Sequence, residues 1–151
     1  MRKILCTTDE TEVSRKAEVF AADLAKSIGA ELHYVHVSPV TDADLENPGQ
    51  FDTIILEEVE ARDHDVLKHA TGVAAEKGLA GAVCLTLQSH KTAEAVIEYA
   101  EANGCDHIVT GSNGRKGVPR LVMGSVSGDI IHKAHCPVTV VRQGFLSLLA
   151  W

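Results

Sequence analysis

Short apolar segments alternate with longer segments of helical period along almost the whole chain, and that alternation leaves few folds open. Lys3–Thr8 is an apolar run short enough for a buried strand. Val13, Ala17, Phe20, Ala21, Leu24 and Ile28 then recur at three- and four-residue spacing, one face of a helix that Gly29 is placed to end. Leu32–Val37 reads as a second strand. Ser38–Gly49 holds Pro39, Asn47, Pro48 and Gly49 and reads as a loop. A long helix is predicted from Phe51 to Lys77, with Ile55, Val59, Val66, Ala70 and Val73 as its stripe and Gly78 beyond it. Ala82–Leu87 is the third strand. Thr92–Asn103 is a helix with Ala93, Val96, Ile97 and Ala100 inward and Gly104 after it. His107–Thr110 is the fourth strand, Ser125–Ala134 a short helix and Pro137–Val141 the fifth strand.

Five strands separated by helices predict an α/β fold, an open doubly wound five-stranded parallel sheet with helices on both faces, Rossmann-like in its winding. The 151 residues suffice for one such domain. In these sheets a ligand sits beyond the carboxyl ends of the strands, where the strand order reverses. Thr7–Val13, Ser38–Gly49, Gln88–Lys91 and Gly111–Gly124 are therefore the loops to inspect.

The last of these is the most informative. Gly111–Gly124 has four glycines, one proline and no period, and long unstructured connections in compact domains are often functional. Glycines let backbone N–H groups approach a phosphate without a Cβ in the way. Gly124 and Ser125 stand where the next helix begins, where unpaired N–H groups and the positive dipole end favour an anion. Arg115, with Lys116 and Arg120, forms the tightest basic group and suits a phosphate. Read from the residues alone, the stretch is either a ligand loop or a glycine-rich connection with Ser125 as an ordinary cap. It is neither a Walker loop nor a GxGxxG fingerprint.

The spacing Gly111-x2-Gly114-x9-Gly124-Ser125 resembles the phosphate motif of ATP-binding universal stress proteins. The flanking strand His107–Gly111 and the run His135-Cys136-Pro137-Val138-Thr139-Val140-Val141-Arg142 look like that family too. The resemblance spans residues 2–142, so it implies a universal stress protein domain over 1–142 and leaves 143–151 as an apolar tail. It implies that Gly111, Gly114, Gly124 and Ser125 wrap phosphates, helped by Arg115, Ser127 and the backbone at Val126. Asp9 would stand beside the nucleoside with Thr7 and Thr8 flanking it, and Val37 would contact adenine. The implied ligand is an adenine nucleotide (ATP, or AMP or ADP), with or without Mg2+. The implied assembly is a homodimer through the fifth strand, Val138–Arg142, and the implied role is a stress-response sensor or signalling module with a downstream protein still to be identified. Where the family often has Pro-x-Asp-Gly-Ser, this chain has Thr7-Thr8-Asp9-Glu10-Thr11, a change that alters the turn after the first strand.

Other classes find less support. A net charge of -7 and the lack of a basic stripe argue against nucleic acid. No apolar run approaches the ~18 residues of a membrane span, and no signal-peptide core follows Arg2 and Lys3. Cys6, Cys84, Cys105 and Cys136 form no CxxC pair and read as reduced, mostly buried thiols, which points to the cytoplasm. The eight histidines lack the spacing of a zinc site. His33 and His36 point to opposite faces of a strand, His64 and His69 do not share a helix face, and only His132 and His135 are spaced to meet. No nucleophile elbow or paired carboxylates mark a catalytic centre, so no catalytic or metal residue is assigned. A weak hydrolase using Asp9 with a divalent metal, and a nucleotide-free dimeric module, are the alternatives.

Overall fold

A computed structural model of the chain describes residues 2–47, 49, 53–112 and 125–144. The strands are β1 Lys3–Thr7, β2 Glu31–Ser38, β3 Val83–Gln88, β4 His107–Gly111 and β5 Val138–Val141. The helices are α1 Glu12–Ile28, α2 Asp42–Glu46, α3 Thr53–Glu76, α4 Thr92–Ala102 and α5 Ser125–Lys133. All pairings are parallel, in the order β3-β2-β1-β4-β5. The chain winds outward from β1 to β3, then returns to lay β4 against the other side of β1. The order therefore reverses between β1 and β4.

Strand alternation divides the core into two layers. Ile4, Cys6, Leu32, Tyr34 and Val109 face Ala17, Ala21, Ala22 and Ala25 of α1 and Ala70, Val73 and Ala74 of α3. Leu5, Val35 and Ile108 face Ala93, Val96 and Ala100 of α4 and Ile130 of α5. The alanine stripe brings α1 close to the sheet. Gly29, the residue after α1, takes φ 66°, a left-handed turn that an L side chain adopts only with strain. Gly78 and Gly104 do the same after α3 and α4.

Three expectations are corrected. Ser38–Gly49 is not all loop, because Asp42–Glu46 is helical, started by a capping box in which Thr41 and Asp44 bond each other's backbone N–H. Ile28, in the inward stripe by its period, is 41% exposed at the last residue of α1. The stripe of α3 also buries less than its period suggests. At about 1.5 Å per residue its 24 residues span roughly 36 Å, and while Val66, Ala70 and Val73 are buried, Ile55 is 47% exposed.

The sheet and α1 meet closely at Gly111. A Cβ there would lie 2.8 Å from Val13 Cγ1 and 3.3 Å from the backbone nitrogen of Ser14. Gly111→Ala should therefore lose about 1–3 kcal/mol in urea unfolding. Gly72→Ala, in the exposed middle of α3 with nothing within 4 Å, should gain up to ~1 kcal/mol in the same assay.

Candidate functional site

The tips of β1 and β4 and the start of α5 meet where the strand order reverses, and hydroxyl groups join all three. Thr7 Oγ1 donates to Thr110 Oγ1 at 2.9 Å across the two strands. Ser127, buried in the first turn of α5, donates from Oγ to the Gly111 carbonyl at 2.7 Å. Its proton is engaged there, so this hydroxyl holds the helix start against β4 and is not a spare donor. Ser125 and Val126 are exposed at the helix start. Gly114, Arg115 and Gly124 lie outside the described residues.

Asp9 begins the turn into α1. Its Oδ1 accepts from Thr11 N at 2.7 Å and Thr11 Oγ1 at 2.6 Å, and its own N–H donates to Ser14 Oγ at 2.8 Å. Thr11 in turn caps α1 by accepting from Ser14 N. One carboxylate oxygen of Asp9 thus shapes the loop. Strand parity places Thr7, Thr110 and Val37 on the α4/α5 side, Val37 packing with Leu85 and Leu87. Thr8 turns to the opposite layer, where it is 4% exposed. Of the described residues, Thr7, Thr8, Asp9, Val37, Gly111 and Ser127 thus lie toward one end of the sheet but are divided between its faces.

On the α1/α3 side a cavity of about 360 Å³ opens beside Asp9, lined also by Glu10, Arg15, Arg62, Asp65, Val66 and His69. Arg62 Nε lies 3.4 Å from Glu10 Oε2 across it. Among the described residues no group of three or more His, Cys, Asp and Glu side chains is placed to hold a metal, and no helix is long and apolar enough to cross a membrane.

The model of the universal stress protein family matches residues 1–142. The chain belongs to that family. A universal stress protein of Methanocaldococcus jannaschii is 32% identical over 143 residues, covering 94% of this chain and 82% of the relative. A universal stress protein solved in complex with cAMP has a TM-score of 0.75 at 18% identity, covering 95% of this chain and 98% of that one. Another, from Archaeoglobus fulgidus and in complex with dAMP, has a TM-score of 0.67 at 20% identity, covering 94% and 98%. At such identities the likeness establishes the shared fold.

In this universal stress protein, a polar network missed by sequence reasoning lies under the β1 tip. Glu18 of α1 is fully buried. Its Oε1 accepts from the Thr8 hydroxyl, its Oε2 lies 2.6 Å from His69 Nδ1, and its backbone carbonyl accepts from Tyr34 OH at 2.7 Å. The signal was present: Ser14, Glu18, Ala21 and Ala25 share one helical face, so Glu18 interrupts an inward stripe. His33 and His36 do point to opposite faces, the first to Tyr99 of α4 and the second to Asp63 of α3. His135 turns to α4, with Nε2 3.1 Å from the Cys105 carbonyl. Cys6 and Cys105 are buried, whereas Cys84 and Cys136 are half-buried.

Burial raises the Glu18 carboxyl above its ordinary value of 4.5, partly offset by hydrogen bonds from Thr8 and His69. The folded chain therefore binds this proton more tightly than the unfolded chain. The resulting stability is full below the ordinary value and is lost as pH rises through the raised one. Relative to Glu18→Gln, the wild type should lose stability as pH climbs from 4.5 and then level off. Urea unfolding at a series of pH values tests this, and a constant difference between the two proteins would refute it.

Proposed function

We propose that this universal stress protein binds an adenine nucleotide, ATP or its ADP and AMP forms, in the loop from Gly111 to Ser127. The observation that carries this reading is where the ends of the glycine spacing fall. Gly111 closes β4 at the reversal of strand order, and Ser125 opens α5 beside it. A phosphate between them would meet the unpaired N–H groups and positive dipole end of α5. Gly114 and Gly124 would let the intervening backbone fold onto it, and Arg115 would add charge. Thr7 and Val37 share one sheet face from which to meet the nucleoside, and Asp9 follows at the strand tip with one oxygen engaged in its turn. Mg2+, where it accompanies the nucleotide, would supply positive charge against the phosphates. The complexes of two related folds with cAMP and dAMP support the same class of ligand.

The reading requires binding and not turnover. The protein would act as a cytoplasmic sensor or signalling module in the stress response, its state passed to a downstream protein. Residues 1–142 form the nucleotide-binding domain, with 143–151 as a tail. The homodimer contact would lie at β5, which stands at one end of the sheet order and would present its outer edge to a second copy.

Gly114→Val should abolish binding of ATP in calorimetric titration while leaving the far-ultraviolet circular dichroism unchanged. Mass spectrometry of small molecules released from the heat-denatured wild type should find an adenine nucleotide. Full affinity in the valine variant would remove the loop from the site.

A further inference from the structure

Two histidine–carboxylate pairs converge on Thr8, the residue between Thr7 and Asp9, and they reach it by different atoms. Glu18 takes the Thr8 hydroxyl and is itself held by His69. His36 takes the backbone: its Nδ1 lies 2.9 Å from the Thr8 carbonyl, and its Nε2 lies 2.7 Å from Asp63 Oδ1. The Thr8 N–H is engaged with the Val35 carbonyl at 2.9 Å. The N–H, the carbonyl and the hydroxyl of Thr8 are thereby all engaged.

The His36 arrangement has a chemical requirement. A carbonyl oxygen only accepts, so Nδ1 must donate to Thr8. Nε2 then faces a carboxylate oxygen, and that bond forms only when a proton lies between the two. His36 is 7% exposed, so water does not readily replace a lost partner.

We propose that His36, backed by Asp63, is a positioning residue of the nucleotide site, setting the β1 tip and with it Thr7 and Asp9 through a proton shared by the two side chains. The inference rests on the adenine-nucleotide reading above.

ATP affinity would be measured by calorimetry for the wild type, His36→Leu, Asp63→Leu and Asp63→Asn, with amide exchange at Thr8 and Asp9 followed without ligand. His36→Leu and Asp63→Leu should each bind about tenfold more weakly, the loss of one charge-assisted hydrogen bond, and exchange their Thr8 and Asp9 amides faster, with Val109 unchanged. Asp63→Asn should keep the affinity of the wild type, because its amide N–H can donate to a neutral Nε2. Full affinity in Asp63→Leu, or equal loss in Asp63→Leu and Asp63→Asn, would overturn the proposal even if His36→Leu fails to fold. Absence of ATP binding by the wild type would overturn the nucleotide reading and its link to His36. Exchange at Thr8 and Asp9 would then still decide whether His36 sets the strand tip.

Discussion

The pairing of β1 with β4 is the constraint on which the other features depend. It joins two strands that are over a hundred residues apart in register, Ile4 with His107 and Cys6 with Val109. Because β2 already occupies the other edge of β1, the chain must reverse its winding to make this pairing. In open α/β sheets, the place for a ligand at such a reversal is a product of topology before any side chain is considered. The side chains refine it: Thr7 reaches Thr110 across the seam, and Ser127 brings the start of α5 down onto Gly111.

Much of this arrangement was legible in the chain because period and punctuation agree. The strands are short apolar runs, and α1 and α4 repeat their inward residues at helical spacing. The glycines at 29, 78 and 104 mark helix ends with left-handed geometry. Failures occurred where a local rule was masked by a louder one. The prolines and glycine around α2 suggested loop and hid the pattern Thr41-x-x-Asp44, which starts a five-residue helix. Ile55 fits the period of α3 but stays half exposed among the described residues, since a repeat records a face and not the extent of the surface opposite.

The site was legible in part, and for a definite reason. Gly111, Ser125 and Asp9 announce themselves through spacing or position at a strand end. Glu18, His36, Asp63 and His69 do not, because their meaning depends on neighbours dozens of residues away. Glu18 broke an apolar stripe, which identified it as unusual without naming its partners. The division of Thr7 from Thr8 was implicit in strand alternation. Its consequence, that one side chain faces the α4/α5 layer and the other a buried carboxylate, emerged only once both helical layers were in place.

The same buried layer has a chemical consequence for the thiols. Cys6 sits in β1 with its neighbours closed around it, and burial, then Glu18 and then Asp9, raise its thiol well above 9.0. Cys105 is raised to about 11, chiefly by burial. Since the thiolate is the reactive form, both sulfurs are chemically quiet in the folded chain. They become nucleophiles when the layers over them open, Cys6 on the α1/α3 side of the sheet and Cys105 on the α4/α5 side, so their reactions with an alkylating reagent time the opening of the two layers separately.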